Sequence, residues 1–269
     1  METQLSNIPA GENNPLDHSD GPWSIELTAD YPSLHETYHF PFCIELAGTG
    51  AGAIDWGDGT LLENFRMTDQ GTEHTHQYDK VGTYPVKISG QGGAVTLLKI
   101  NEDDGESEED YDGYFSSLVL TRCNRLQYLY GGNNRLTLLD VGGCAALKEL
   151  NCWDNRLTSL DVSRCPELKV LECDHNQLTA LNVGKNLKLE RLSCLDNRLT
   201  MLDVSWNRKL ESLWCCRNFL SAETMNQIYN DLPVIENSQN YRGDTLVVDR
   251  ATAGDYRVAE SKGWKVKLL

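Results

Sequence analysis

"RLTSLDVSRCPELKVLECDHNQLTALNVG" spans Arg156 to Gly184 and repeats its own residue types at an interval of 21 positions. The interval continues in both directions along the chain. Asparagine recurs at Asn134, Asn155, Asn176, Asn197 and Asn218. Leucine recurs at Leu126, Leu147, Leu168, Leu189 and Leu210, and again at Leu129, Leu150, Leu171, Leu192 and Leu213. Repetition at a fixed interval predicts a stack of structural repeats, none of which can bury its apolar side alone.

The repeat unit is L-x-x-L-x-C-x-x-N-x-L-T-x-L-D-V-S-x-C/N, which predicts one coil of backbone per repeat with a short strand at x-L-x-C. Successive strands would lie about 4.8 Å apart in a parallel sheet, with the leucines and valines buried. Each repeated asparagine would bond backbone groups where the chain leaves the strand.

Two columns of cysteines raise a choice between packing, metal binding and disulfide formation. One column takes an inward strand position: Cys152, Cys173, Cys194 and Cys215. The other lies at the opposite turn: Cys123, Cys144, Cys165, Asn186 and Asn207. We favour buried structural thiols, because a ladder keeps its members side by side, whereas metal ligands converge and disulfides need suitably directed Cβ atoms. Cys43 and Cys216 lie off both columns, and Cys216 is predicted to face solvent as the most reactive thiol.

Residues 114–220 resemble the leucine-rich repeats of bacterial surface proteins, and in particular the internalin J type, which has 21-residue repeats and a cysteine ladder. The resemblance implies a right-handed solenoid with a parallel β-sheet. It also implies a position on the outside of a bacterial cell. We assign residues 95–220 to this solenoid.

The N-terminal flank, residues 22–94, has a different period. Apolar residues alternate in WSIELTA, HFPFCIEL and GTYPVKISG, which favours short strands in a β-sandwich. The segment IDWGDGT, from Ile54 to Thr60, and the later HTHQYDKVGTYPVKI resemble the polycystin-type (PKD) sandwich, which is Ig-like. The chain is therefore predicted to be mainly β, with a PKD/Ig-like sandwich ahead of the repeats, and this resemblance also implies an extracellular protein.

Four polar residues of this flank invite a metal or catalytic interpretation. Asp55 and Asp58 lie in the glycine-containing turn, and His74 and His76 share one face of a predicted strand. We favour structural roles, because aspartate in such a turn bonds its own backbone and no third ligand accompanies the histidines. A calcium site or a catalytic carboxylate pair is the alternative for the aspartates.

Three further segments flank or interrupt these regions. Residues 95–100, VTLLKI, mimic the L-T-x-L-D-V half of a repeat and are predicted to form a degenerate first half-coil. An acidic insertion follows at 101–113; its spacing fails the EF-hand pattern, so it is interpreted as solvated, with weak calcium binding as the alternative. Residues 1–21 are polar and are predicted to be a flexible lead-in.

Residues 221–269 predict a small α/β cap, which the open end of a solenoid requires. The first helix would begin at the N-cap Ser221 and end before Pro233. A second helix would end at Gly263 and be followed by a short strand.

Composition limits the classes of partner. The formal net charge is −16, which argues against nucleic acid and anionic membrane surfaces. No run approaches the roughly 20 apolar residues of a membrane span, and the N-terminus lacks the apolar core of a signal peptide. We expect an extracellular or cell-surface location by resemblance, with the cytoplasm as the alternative. The sequence contains no nucleophile elbow, phosphate loop or zinc-ligand spacing, so we predict no enzymatic activity, no cofactor and no metal.

The outward positions of the predicted strands change chemistry from coil to coil. Seven of them are predicted to contact a partner: Tyr128, Tyr130, Trp153, Glu172, Asp174, Leu195 and Trp214. Exposed aromatic residues on a rigid face are typical of binding hot spots, and the carboxylates favour a basic or hydroxyl-rich partner. The sequence thus predicts a monomeric, non-enzymatic recognition protein for a protein or glycan. A structural spacer, in which the aromatic residues only cover the sheet, is the alternative.

Overall fold

A computed structural model of the chain describes residues 22–31, 42–91, 93–100, 115–235 and 245–269. The predicted lead-in at 1–21 and the acidic insertion at 101–113 lie outside the described residues. Within them the fold is mainly β, with two α-helices, Ala222–Asp231 (α1) and Arg257–Ser261 (α2), and a 3-10 turn at Arg250–Thr252.

The described strands form two sheets. The six-stranded sheet has the order β10-β8-β1-β6-β3-β4. Its strands are β1 (Trp23–Tyr31), β3 (Ala51–Asp55), β4 (Glu63–Arg66), β6 (Gly82–Gly90), β8 (Phe115–Thr121) and β10 (Leu138–Asp140). The ten-stranded sheet has the order β16-β15-β14-β13-β12-β11-β9-β7-β2-β5. Its strands are β2 (Phe42–Thr49), β5 (Thr72–His76), β7 (Ala94–Ile100), β9 (Tyr128–Tyr130), β11 (Glu149–Asn151), β12 (Val170–Glu172), β13 (Arg191–Ser193), β14 (Ser212–Trp214), β15 (Thr245–Val248) and β16 (Lys265–Leu268).

The N-terminal strands bury alternate residues between the two sheets. On β1, Ile25 and Leu27 are buried and Glu26 is exposed. Phe42 on β2 meets Phe115 on β8 edge to face, with the ring centroids 5.3 Å apart. Because β2 and β8 belong to different sheets, this contact lies in the core that the sheets share.

The repeats stack with their strands parallel and in register. Leu150 on β11 pairs with Leu171 on β12, and the same offset of 21 residues continues to Leu192 and Leu213. All four leucine side chains are buried. Burial of one leucine stabilises the fold by roughly 2 kcal/mol, so the stack gains a core that one coil could not close.

Each asparagine of the repeat ties its own coil to the preceding one. The Nδ2 of Asn176 donates to the carbonyl of Cys152 in the preceding coil at 2.9 Å and to the carbonyl of Cys173 in its own coil at 3.3 Å. Its Oδ1 accepts from the backbone N–H of Leu157 at 2.9 Å. The side chain therefore satisfies buried backbone groups that the turn leaves without strand partners.

Both cysteine columns are buried inside the stack. Burial raises the pKa of Cys165 to about 11 and that of Cys123 to about 12, so these groups are neutral thiols near pH 7. In the strand column, the pKa of Cys173 is also raised by burial. The Nδ2 of Asn186 donates to the carbonyl of Cys165 at 2.9 Å, which stacks one turn upon the next. These placements agree with a packing role for the thiols.

The repeat stack and the N-terminal sheets share two strands. β7 pairs antiparallel with β2 and parallel with β9, so Leu98 lies beside both Leu46 and Leu129. β8 pairs antiparallel with β1 and parallel with β10, so Leu118 lies beside both Leu27 and Leu139. The buried side chains of the two parts consequently belong to one continuous core.

This pairing corrects the interpretation of residues 95–100. Their predicted match to the L-T-x-L-D-V half is wrong, because Leu98 pairs with Leu129 of the strand half. The other half of the first coil is β8. Asn134 bonds to both halves: its Nδ2 donates to the Ile100 carbonyl at 3.2 Å, and its Oδ1 accepts from the Phe115 N–H at 3.2 Å. The sequence L-L-K-I is compatible with either half of the repeat, which explains why the predicted match was wrong.

The C-terminal residues close the last coil. Ser221 caps α1, with its Oγ accepting from the N–H of Thr224 at 3.1 Å, as the sequence predicts. Gly263, which has a φ of 90°, ends the short second helix before β16. The sequence predicted one closing strand, but β15 and β16 both extend the ten-stranded sheet beyond β14.

Candidate interaction surface

We define the outer strand face as the solvent side of β9 and β11–β14 together with the turn that follows each strand. Strand pairing aligns its residues in columns. The first column is Tyr128, Glu149, Val170, Arg191 and Ser212; the second is Tyr130, Asn151, Glu172, Ser193 and Trp214; and the third is Gly132, Trp153, Asp174, Leu195 and Cys216. All seven residues predicted to contact a partner lie in these columns, and their role in binding stays a prediction.

Two tryptophans project from this face. Trp153 is 38% exposed and Trp214 is 45% exposed. The indole of Trp153 lies over Gly132 of the preceding coil, where an added Cβ would come within 2.3 Å of the indole Nε1. Glycine at 132 therefore leaves the space in which the Trp153 ring rests.

The tyrosines at the N-terminal end of the face are half-buried and held by neighbours. The hydroxyl of Tyr130 donates to Glu149 Oε2 at 2.9 Å. The Nζ of Lys99 lies 5.8 Å from the centroid of the Tyr130 ring and 3.2 Å from Glu45 Oε2. Since Lys99 is on β7 and Glu45 is on β2, the face continues onto the N-terminal strands.

Glu172 lies at the centre of the second column. Its Oε2 accepts from Asn151 Nδ2 at 3.1 Å, and its Oε1 lies 3.6 Å from Arg191 Nη1. Burial is the main cause that raises its pKa, and Asp174 adds to the rise while Arg191 opposes it. Glu172 is thus a half-buried carboxylate beside a second one.

Asp174 occupies the third column on the same coil. Its Oδ1 accepts from Ser193 Oγ at 2.5 Å and from the backbone N–H of Leu195 at 2.7 Å. Burial raises the pKa of Asp174, whereas these two hydrogen bonds and His175 act in the opposite direction. The bonds to Ser193 and Leu195 also fix the direction in which the carboxylate points.

The residue after the third column has a left-handed backbone in every coil of the face. The φ values are 52° at Asn133, 49° at Asp154, 51° at His175, 54° at Asp196 and 54° at Arg217. Asparagine, aspartate and histidine tolerate this region better than most residues. Backbone geometry thus explains part of the polar composition at this edge, without any ligand.

The prediction that Cys216 faces solvent as the most reactive thiol is wrong. Its side chain is 1% exposed. Burial raises the pKa of Cys216 to about 11, with Asp249 of the cap adding to the rise. Asp249 also accepts from the backbone N–H of Arg217 at 2.7 Å, so the cap reaches this part of the last coil. Cys43, on β2, is half-buried and keeps more access to solvent.

Sequence reasoning missed three exposed apolar residues that lie outside the strand columns. Met201 is 75% exposed, Trp206 is 65% exposed and Leu187 is 54% exposed. The Trp206 ring lies over Gly184, with 3.8 Å between its Cδ1 and the place of an added Cβ. The 21-residue spacing assigns Trp206 to a column of residues in the turns. Outward positions in the turns, treated in the same way as those on the strands, could have identified it.

The aspartates of the N-terminal turn bond the turn itself. Asp55 Oδ1 accepts from the backbone N–H of Gly57 at 2.9 Å, and Asp58 Oδ1 accepts from that of Thr60 at 3.0 Å. The second oxygen of Asp58 lies 2.8 Å from His76 Nε2. These contacts agree with the structural interpretation of both aspartates.

The second histidine of that strand also has a carboxylate neighbour. His74 Nδ1 lies 2.5 Å from Glu63 Oε1. Among the described residues, no three histidine, cysteine, aspartate or glutamate side chains are grouped so as to hold a metal ion.

Comparison with known proteins identifies the repeat. Residues 145–185 match the family model described as leucine-rich repeats (2 copies). No curated protein matches the chain. The chain is similar to a solved structure, the functional domain of InlJ from Listeria monocytogenes, which includes a cysteine ladder. Sequence identity is 25%, the TM-score is 0.42, and the match covers 67% of this chain and 41% of that chain.

The middle of the chain therefore contains leucine-rich repeats, which are typical of protein-interaction modules because their stacked coils create extended binding surfaces. The chain spans less than half the length of the InlJ domain that it matches. In the part of the chain that the structure describes, no helix has both the length and the apolar character needed to cross a membrane.

Proposed function

We propose that the chain is a non-enzymatic recognition protein of a bacterial cell surface. It binds a protein or glycan partner through the outer strand face. In this proposal the repeats form a right-handed solenoid, and the N-terminal sheets form a PKD-like sandwich that holds the first coil. The shared strands β7 and β8 support a rigid connection between the two.

The exposure of Trp153 and Trp214 is the observation that carries this proposal. Both side chains lie on a face whose backbone is fixed from beneath by buried leucines and asparagine hydrogen bonds. Large aromatic side chains held in this way lose little conformational entropy when a partner covers them, and they are therefore typical binding anchors.

A spacer without a tight ligand is the second candidate, and one observation favours it. Polar groups of the face already bond one another, as Tyr130 does with Glu149 and Asn151 with Glu172. A face whose polar groups already have hydrogen-bond partners needs no ligand. The continuous core would suit a rigid structural element.

Capture experiments separate the two candidates. The purified chain is immobilised and exposed to mucosal and bacterial-surface extracts beside a Trp153→Ala/Trp214→Ala variant. We expect one or more proteins or glycans to be retained by the natural chain and lost from the variant. Truncation of a hot-spot residue costs roughly 2 kcal/mol or more, which corresponds to about a 30-fold loss of affinity.

Trp206→Ala is the matched control, because Trp206 is also an exposed tryptophan but lies in the turn beside Asn207, outside the columns of the outer strand face. Its removal should leave capture unchanged. A partner that is lost from the control as much as from the double variant would contradict binding at the outer strand face. If neither the natural chain nor either variant retained a partner, the result would favour the spacer.

A further inference from the structure

Building on the proposed function, we propose that the outer strand face receives a lysine or arginine side chain of a protein partner at Asp174, between Trp153 and Leu195. In this proposal the partner is a protein with a protruding cationic residue, and the outer strand face recognises the positive charge of that residue. The pairing of the coils, the hydrogen bonds of Asp174 and the charge around it each support this assignment.

Trp153, Asp174 and Leu195 lie on three consecutive coils of one column. Backbone hydrogen bonds join these coils next to the column: the N–H of Asp154 donates to the Asp174 carbonyl at 2.9 Å, and that of His175 to the Leu195 carbonyl at 2.9 Å. Neighbouring members are thus about 4.8 Å apart at the backbone. A carboxylate between an aromatic and an aliphatic side chain matches the two parts of lysine or arginine, a charged head and an apolar stem.

Asp174 is half-buried, and one of its oxygens holds the carboxylate in place. Oδ1 accepts both from Ser193 Oγ and from the Leu195 N–H. A carboxylate whose orientation is already fixed pays little further entropy to accept a bond from an incoming ammonium or guanidinium group.

The local charge favours a cation over a neutral hydroxyl. Asp174 and Glu172 are adjacent, and burial raises the pKa of both, which means that their negative charges are incompletely solvated. Arg191 Nη1 lies 3.6 Å from Glu172 Oε1 and partly compensates that carboxylate. A glycan hydroxyl would supply a hydrogen bond to Asp174 but no positive charge. A cation would compensate the remaining negative charge, so electrostatic complementarity points to the side chain of a basic residue.

The test uses the full chain and N-acetylated pentalysine amide as the probe, with binding followed by calorimetry and by tryptophan fluorescence at low salt. Asp174→Asn removes the charge while its side-chain oxygen can still accept from Ser193 and Leu195. We expect this variant to bind the probe at least 10-fold more weakly. Asp196→Asn is the control, because it removes the same charge one coil further along the face, and it should retain most of the affinity.

A pentapeptide of acetyl-lysine, which keeps the apolar stem and lacks the charge, should not bind. In the natural chain, affinity for pentalysine should fall with decreasing pH, beginning above the usual range of an aspartate pKa. Equal weakening in Asp174→Asn and Asp196→Asn would show attraction to net charge only and would overturn the inference. Unchanged binding in Asp174→Asn would overturn it as well.

The captured partner distinguishes failure of this inference from failure of the proposed function. A partner that depends on Trp153 and Trp214 but not on Asp174 would leave the recognition function standing and overturn the cationic contact. Loss of the partner from Asp174→Asn, with retention by Asp196→Asn, would support both. If no partner were captured and pentalysine did not bind, both would fail.

Discussion

On strand β12, Leu171 lies in a column of leucines that is the same in every coil, whereas Val170 and Glu172 beside it lie in columns that change at each coil. Inward residues must pack against an identical residue in the coil on either side, so the same residue type recurs in every coil. Outward residues meet solvent or a partner and carry no such restriction. The difference teaches that the inward side of the short strands is assigned to stability, which leaves the outward side free for the proposed recognition.

Removal of an inward asparagine should produce the largest effect of this comparison. Asn176→Ala would leave the buried Leu157 N–H without its partner, and the Cys152 carbonyl would keep only the donor from Asn155 Nδ2 at 3.2 Å. An unsatisfied buried group costs roughly 1–3 kcal/mol, and the lost bond to the carbonyl adds to this cost, so we expect the free energy of unfolding to fall by about 3 kcal/mol. Denaturant-induced unfolding measures it.

Asn151→Ala is the outward counterpart, because Asn151 bonds Glu172 and the N–H of Trp153 on the outer strand face. Water can replace these bonds, so its loss of stability should be about 1 kcal/mol or less. Comparable losses of unfolding free energy in the two variants would contradict the assignment of stability to the inward side.

A cysteine substitution should have the next largest effect. Cys173→Ser places a hydroxyl in a fully buried position, where the thiol packs as a small group and donates weakly to the Ser193 carbonyl at 3.3 Å. We expect a loss of about 1–2 kcal/mol in unfolding free energy, with affinity for a partner unchanged. Cys43→Ser, at a half-buried position, should change stability by less than about 0.5 kcal/mol. A loss of affinity in Cys173→Ser at unchanged stability would contradict the separation of roles.

The smallest effect concerns thiol reactivity in the folded chain. With a pKa of about 11, Cys216 holds very little thiolate at pH 8, and its burial blocks access to reagents. We expect the fastest reaction with a disulfide reagent to come from Cys43. It should disappear in Cys43→Ser and persist in Cys216→Ser, as followed by absorbance. The reverse pattern would mean that the last coil opens in solution.

The repeated region was predictable from sequence because a 21-residue interval translates directly into strand pairing. Knowing that Leu150 and Leu171 are equivalent is enough to place Asn155 and Asn176 one above the other. The outward position of Trp153 followed from the same register. Its placement over Gly132 did not, since side-chain direction depends on the neighbouring coil.

Other features depended on contacts between segments that no periodicity connects. The double pairing of Leu98 requires β2, which lies about fifty residues earlier and belongs to a region with a different period. The burial of Cys216 depends on the cap, including Asp249, whose position relative to the last coil is not encoded in the repeat. Strand β15 carries no repeat motif, so only its pairing with β14 reveals that it extends the sheet.

The sharing of β7 and β8 bears on how the gene for this chain can change in length. An in-frame deletion of the codons for residues 157–177 would join Arg156 to Leu178, which takes the place of Leu157 in the motif. A duplication of the same codons would add one coil. Neither event changes the strands at the two ends of the repeat stack. A deletion that removes Leu98 or Leu118 would take one strand from two regions at once. Recombination can therefore lengthen or shorten the outer strand face only from its middle.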